Sequence, residues 1–368
     1  MAGHSVPIDF WVDPVKVVNP VERETILQDI LPILEPYAGV LKKVTDAAIP
    51  GGNFVSIFAS EDMTLSVKLY KNGLISCTLE YLVAEEAINE HKILIDDGRK
   101  IEEELKSKLS SSRAKVLTAI KRGPSINPYY TTSDDRILEY DIEKVLFVEK
   151  SPFQKVEIVQ TKSYGNILIL DDLQNLAESD LSYTQALMHK DKEDFKGKEV
   201  LILGGGDGAL LWELLKEEPG FVTMIDIDEV VLKACRKYLR SACGDCLDNY
   251  KGKNYEIIIG DAIAYMKNYI KEGKKFDYVF ADLTDIPISS SPRGQLWDFI
   301  REIMNLGIEV LKPSGKYMTH AIGIQCESAL KMFEEQMSNL KRTVEFSRSN
   351  AFVPSFKENW CFYQITLV

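Results

Sequence analysis

In the second half of the chain, apolar residues come in short runs, each closed by a turn or an acid. Residues 200–203 (VLIL) are wholly apolar, as expected of a strand buried on both faces of a parallel sheet. Gly204, Gly205, Gly206 and Gly208 follow, and residues 209–215 (ALLWELL) read as a helix. Further apolar runs at 221–225, 255–259, 276–281 and 316–320 alternate with helical patterns at 229–240, after Ala262, and at 295–311. This alternation predicts an α/β fold with a Rossmann-like, methyltransferase-type doubly wound sheet.

The first third has a different period. Leu65, Val67 and Leu69 alternate with Ser66, Lys68 and Tyr70, and Ile75, Cys77, Leu79 and Tyr81 alternate with Ser76, Thr78 and Glu80. Asn72-Gly73 between them is a hairpin signal. Residues 8–12 read as another strand. Asn19 and Pro20 read as the N-cap and first residue of a helix whose Ile26, Leu27, Ile30, Leu31 and Leu34 share one face. Pro32 is expected to end or kink it near Leu31. A charged helix at 98–109 closes a small α+β domain without a visible catalytic cluster. Its sheet must bury one face on those helices or on a second copy of the chain. The segment 110–123, rich in Ser, Lys, Arg and Gly, reads as a linker.

Four short strands are expected next, at 136–140, 144–148, 155–160 and 166–170, with turn signals at Asp141, Ser151-Pro152 and Tyr164-Gly165. They form a β lid, followed by a helix at 178–189 carrying Asp180 and Tyr183. The expected organisation is therefore 1–123 for the N-terminal α+β domain, 124–175 for the lid, and 176–368 for the Rossmann-like domain.

Composition narrows the chemistry. The 368 residues are 45% hydrophobic and 27% charged, enough for two or three packed domains. A net charge of −12 argues against a nucleic-acid partner and suits a cationic ligand. No apolar run approaches a membrane span, and Asp9 and Asp13 stand where a secretion signal would be basic, so the cytosol is the expected compartment. Cys243 and Cys246 form a lone CxxC, and the four histidines do not complete its spacing to a zinc site. No metal or resident cofactor is expected.

The glycine loop and the acids around it carry the functional signal. Asp226 ends the strand about 20 residues past the loop, where a carboxylate commonly grips ribose hydroxyls. Asp261 and Asp282 end two further strands, and Asp207 lies inside the loop. Any one of them could cap a helix; four carboxylates around one crevice exceed what capping requires. Asp207 would repel a pyrophosphate and attract a sulfonium or an amine. An alkylamine resembles lysine, with a free pKa near 10.4, so making it nucleophilic at neutral pH costs about 4–5 kcal/mol. An adjacent carboxylate can take that proton while others hold the remaining ammonium groups. A methyltransferase using intact S-adenosylmethionine shares the fold, and a non-catalytic polyamine-binding protein could retain it.

GGGDG, the strand-end acids and Asp282-Leu283-Thr284-Asp285-Ile286-Pro287 resemble the aminopropyltransferases, the spermidine and spermine synthases. The forms Asp282-Leu283-Thr284-Asp285 and 176–183 (LAESDLSY), the long N-terminal extension, and the tail at 353–360 (VPSFKENW) are similar to the spermine-forming animal branch. The resemblance implies that the aminopropyl group of decarboxylated S-adenosylmethionine passes to spermidine, giving spermine and methylthioadenosine. By the same resemblance Gln154, Gly204, Gly206, Asp226, Asp261 and Ala262 hold the donor. Tyr183, Asp207, Phe356 and Glu358 hold spermidine, and Asp282 is the general base. It further implies an N-terminal domain like S-adenosylmethionine decarboxylase that forms a homodimer. Asp226 stands where those animal enzymes have glutamate, Phe356 where tyrosine is expected, and Asp285 resembles the second acid of spermidine synthases.

Overall fold

The computed structural model describes all residues from 1 to 368 and separates them into two units, Met1–Asn127 and Pro128–Val368. The first unit contains β1 (Ala2–Trp11), α1 (Pro14–Val18), α2 (Pro20–Ala38), β2 (Lys42–Ile49), β3 (Asn53–Ala59), β4 (Met63–Leu69), β5 (Leu74–Val83), α3 (Ile95–Lys108), β6 (Arg113–Val116) and β7 (Ile120–Arg122). Its strands form one antiparallel sheet in the order β2-β3-β4-β5-β1-β6, with β7 also on β1. The alternating residues Leu65, Val67, Ile75, Cys77 and Leu79 are fully buried against Ile26, Leu27, Ile30 and Leu34 of α2 and Ile101 and Leu105 of α3. Asn19 caps α2 by accepting from the Val21 amide at 2.9 Å.

Two expectations are corrected in this unit, and two strands are added to it. Pro32 does not end α2, which continues through Pro32 and Pro36 to Ala38. Both prolines are exposed and one turn apart, so the missing hydrogen bonds fall on the solvent side while Ile33 and Leu34 anchor the other face. The segment 110–123 is not a linker: it supplies β6 and β7, which pair with β1. Its Lys and Arg residues alternate with buried Ala114 and Val116, a strand period that its charge conceals. Strands β2 and β3 were not anticipated. Every residue of β2 is exposed, so no alternation marks it.

The second unit opens with a hairpin, β8 (Tyr129–Thr131) and β9 (Ile137–Glu139), and a four-stranded meander. The meander comprises β10 (Ile142–Lys150), β11 (Lys155–Thr161), β12 (Gly165–Leu170) and β13 (Leu173–Ala177), all antiparallel. α4 (Leu181–Leu187) follows, shorter than its pattern suggested. Then come β14 (Glu199–Gly204), α5 (Ala209–Lys216), β15 (Phe221–Asp226), α6 (Glu229–Tyr238), α7 (Arg240–Cys243), β16 (Tyr255–Ile259) and α8 (Ala262–Glu272). β17 (Phe276–Asp282), α9 (Gln295–Glu309), β18 (Leu311–Gly323), α10 (Glu327–Ser338), β19 (Val344–Val353) and β20 (Glu358–Leu367) complete it.

The large sheet runs β16-β15-β14-β17-β18-β20-β19. Its first five strands are parallel and β20 and β19 are antiparallel. β14 is central, and Val200, Leu201, Ile202 and Leu203 have no exposed surface. Successive connections leave β14 towards β15 on one side and return to β17 on the other. The chain therefore reverses direction across the sheet beside β14, and a crevice opens at the carboxyl ends of β14, β15 and β17. No helix is long and apolar enough to cross a membrane.

Candidate active site

The glycine loop is stitched to two neighbouring strand ends. Gly204 has φ +82°, and a Cβ there would fall 2.1 Å from the Asp282 carbonyl oxygen, so only glycine fits. The Gly205 amide donates to that same carbonyl at 3.1 Å. The Gly206 amide donates to Asp226 Oδ2 at 2.9 Å. The loop thus lies directly against the last residues of β17 and β15.

Three acids face this crevice. Asp282 Oδ1 accepts the Tyr183 hydroxyl from α4 at 2.9 Å. Asp226 Oδ1 accepts the Asp228 amide at 2.8 Å. Asp207 Oδ1 accepts the amide of Ala209, the first residue of α5, at 2.8 Å, and the Asp282 charge lies close enough to perturb it. Asp207, Asp226 and Asp282 have no Lys or Arg ion-pair partner among the salt bridges of the chain. Burial, then the Asp282 charge, pushes the Asp207 carboxyl up to about 7. Burial pushes Asp226 up to about 6, against the amides of Asp228 and Gly206 that pull it down. Burial also raises Asp282, opposed by His320 and by the Tyr183 hydrogen bond. The crevice gathers a desolvated group of acids, an arrangement that a cation would relax.

Gln154 reaches the site through Asp228. Its Nε2 donates to Asp228 Oδ2 at 3.0 Å, and Ser151 Oγ donates to the same oxygen at 2.7 Å. Asp228 Oδ1 caps α6 through the Val230 amide at 3.0 Å. Asp261 is exposed and caps α8 through the Ile263 amide at 2.9 Å, with Ala262 the first residue of that helix. The Gly260 amide donates to the Asp226 carbonyl at 2.9 Å, which sets the end of β16 beside that of β15.

On the other side of Asp282, the Tyr183 ring packs near His320, Phe356 and Phe362, with centroids 5.8, 6.1 and 5.4 Å away. Phe356 also meets Trp360 edge-on at 4.9 Å. Glu358 is buried and occupied within the protein. Its Oε2 accepts Ser133 Oγ at 2.8 Å, while Oε1 accepts the Ser133 amide at 3.2 Å and Arg136 Nη2 at 3.3 Å. The structure therefore brings Asp207, Asp226, Asp282 and Tyr183 together, attaches Gln154 through Asp228, and sets Phe356 against Tyr183. Asp261 lies at the outer rim, and Glu358 lies in an ion pair with Arg136.

Sequence reasoning missed Asp228 and His320. Asp228 follows Asp226 by two residues, and an acid pair at a strand end was a visible signal. His320 lies on β18 at the same carboxyl edge as the acids, with its side chain buried. Asp180, noted only in passing, accepts the amides of Ala177 at 2.7 Å and Ser355 at 2.9 Å, as well as the Ser355 hydroxyl. It anchors the turn that presents Phe356.

A methyltransferase-type sheet with an acid-lined crevice at its switch point defines an α/β protein of the Rossmann-like class. Comparison with known proteins agrees. Residues 180–366 match the Spermine/spermidine synthase domain, and residues 128–178 match the Spermidine synthase tetramerisation domain. A polyamine aminopropyltransferase of Aeropyrum pernix is 34% identical over 233 residues, 62% of this chain and 71% of that relative. A thermospermine synthase of Arabidopsis thaliana is 30% identical over 236 residues, 62% of this chain and 66% of that one. Among solved structures, a spermidine synthase in complex with the transition-state analogue AdoDATO shares the fold, with a TM-score of 0.55 and 22% identity over 67% of this chain and 81% of that one. The Thermotoga maritima spermidine synthase gives 0.53 and 20% identity over 67% and 80%. This chain belongs to the spermidine/spermine synthase family, the polyamine aminopropyltransferases.

Proposed function

We propose that this aminopropyltransferase makes spermine, using decarboxylated S-adenosylmethionine as donor and spermidine as acceptor. The observation that carries the reading is the trio Asp207, Asp226 and Asp282, recessed around one glycine loop with Tyr183 oriented on Asp282. Such a site favours a sulfonium donor and an ammonium acceptor over any anion. Gly204 and Gly206 let the donor approach the backbone. Asp226 takes the ribose, Gln154 and Ala262 flank it, and Asp261 lies at the adenine end. Asp207 faces the amine of the decarboxylated donor and the acceptor, and would meet the carboxylate of intact S-adenosylmethionine with like charge.

Spermidine's attacking amine arrives as an ammonium and gives one proton to Asp282. Its lone pair forms the C–N bond as the C–S bond breaks, and that bonding pair returns to sulfur. The products are methylthioadenosine and a secondary ammonium. Tyr183 fixes the carboxylate by its hydroxyl, and Phe356 supplies an apolar wall for the acceptor's methylenes. Glu358, fixed by Ser133 and Arg136, adds a carboxylate beyond that wall. The first unit is assigned to homodimer formation and the enzyme to the cytosol.

The test is to incubate the purified protein with decarboxylated S-adenosylmethionine and either putrescine or spermidine, and to resolve the amines against spermine and thermospermine standards. Spermine from spermidine alone supports the reading. Spermidine from putrescine moves the acceptor to the shorter diamine. Thermospermine, the product named by the Arabidopsis relative, changes the regiochemistry. Affinity for intact S-adenosylmethionine with no amine product would replace the reading with methyl transfer. Light scattering that gives a fully active monomer would remove the dimer assignment.

A further inference from the structure

His320 is a buried titratable side chain that the reaction above leaves unused. It lies at the carboxyl edge of β18, next to the strand that ends in Asp282. Its Nδ1 is 3.4 Å from Asp285 Oδ1, within ion-pair range but off the line of a hydrogen bond. Asp285 does not reach it by chance. The loop after β17 is tied back to β18, with the Ile286 amide donating to the Ala321 carbonyl at 3.3 Å. Thr319 Oγ1, one residue before His320, donates to the Ala281 carbonyl at 3.1 Å, one residue before Asp282. The same histidine ring borders Tyr183, whose hydroxyl holds Asp282. Behind the loop lies a cavity lined by Thr284, Ile286, Thr319 and His320.

Among the groups acting on Asp282, His320 is the one that can carry positive charge; Asp285 opposes it and Tyr183 is a neutral donor. The charged and titratable groups facing His320 are Asp282 and Asp285, from β17 and its loop, and Tyr183, from α4. We propose that His320 and Asp285 form a built-in cation–anion pair that keeps Asp282 ionised among its neighbouring acids, making His320 a positioning residue for proton removal from the acceptor amine. Burial alone would favour neutral imidazole, but Asp285 and then Asp282 outweigh it, and His320 is shifted upward. The imidazolium offsets the burial that would otherwise favour a protonated Asp282, and the exposed Asp285 balances the imidazolium. Asp285 therefore does not serve as a second base: its partner is the histidine.

This inference rests on Asp282 being the proton acceptor, so one arm of its test does not depend on turnover. In full-length protein with isotopically labelled histidine, NMR titration should show His320 still cationic above pH 7. In Asp285→Ala its protonation constant should fall about tenfold. A His320 that is neutral between pH 5.5 and 8 overturns the pair. The second arm is the pH profile of kcat/KM for the acceptor. His320→Gln should lose about two- to fivefold at pH 7, with its acidic limb moved up by about one unit and the loss recovered near pH 9. Asp285→Asn should move the limb less than His320→Gln, because losing that carboxylate also removes its own repulsion on Asp282. A uniform loss across pH, or an unmoved limb, marks a merely structural role and overturns the inference. Wild-type protein that transfers no aminopropyl group overturns the proposed function, while the histidine titration still decides the pair.

Discussion

The two units each carry a seven-stranded sheet, and the two sheets handle charge in opposite ways. In the first unit the strands are antiparallel, so turns fall at both ends, and strand acids such as Asp46 and Glu80 pair with nearby Lys43 and Arg122, as Glu102 of α3 does with Lys115 of β6. In the second unit the five parallel strands all end on one edge, and Asp226, Asp282 and His320 arrive there with the loop acid Asp207. Parallel connectivity gathers strand-end residues from distant parts of the chain, whereas antiparallel connectivity divides them between two ends. One sheet neutralises its charges locally; the other concentrates charge that a ligand must complete.

The sharpest way to break this contrast is to remove one charge from the crowded edge. Asp282→Asn should lower kcat by about a thousandfold, within the usual range for loss of a general base. The residual rate should rise with pH, because more acceptor amine is then already neutral. A residual rate flat in pH would argue against Asp282 as the proton acceptor.

A smaller effect is expected at Asp207. Asp207→Asn should lower kcat/KM for the acceptor about 10- to 100-fold, measured by initial rates at varied spermidine. Kinetics indistinguishable from wild type would reduce Asp207 to the hydrogen bond it makes with the first residue of α5.

The same acids should appear in stability. Asp207 near 7 and Asp226 near 6 lie above the ordinary aspartate value of about 3.9. The folded protein therefore binds more protons than the unfolded chain from about pH 4 to 7. Their stabilisation is complete below pH 4 and is lost as pH rises through 6 and 7. Tm of the unliganded protein should fall between pH 5 and 8, and Asp207→Asn should flatten that fall by about 2 kcal/mol. Saturating polyamine should flatten it too. A wild-type Tm constant over this range would refute the assignment.

The smallest effect on catalysis should come from the other sheet. Leu79 is fully buried against the helices of the first unit, and Leu79→Ala should cost about 2–5 kcal/mol of stability. Denaturant unfolding would measure that loss, while the pH dependence of turnover should keep its wild-type shape. A displaced pH profile would mean that the two sheets are coupled.

Legibility in the sequence follows the same division. The parallel strands were visible because burial on both faces makes them uniformly apolar, and the glycine loop was visible because its backbone demands glycine. The edge strand β2 was invisible because nothing on it is buried. Charged β6 and β7 read as a linker because a strand stabilised mainly by its partner needs little apolar content of its own. At the site, strand-end acids could be found by position. Gln154 needs Asp228, and His320 needs Asp285, to have any role. Those partnerships join segments far apart in the chain, and only folding brings them together.

The contact between Gly204 and the Asp282 carbonyl has a consequence for how such an enzyme can change. Because the loop and Asp282 share one backbone junction, neither can be altered as an independent module. The Tyr183–Phe356–Glu358 side is built from side chains, which can be exchanged singly. On the loop side, a methyl group added at Gly204 would collide with the Asp282 backbone. Change is thus channelled to one wall of the crevice, while the other wall is held by its backbone.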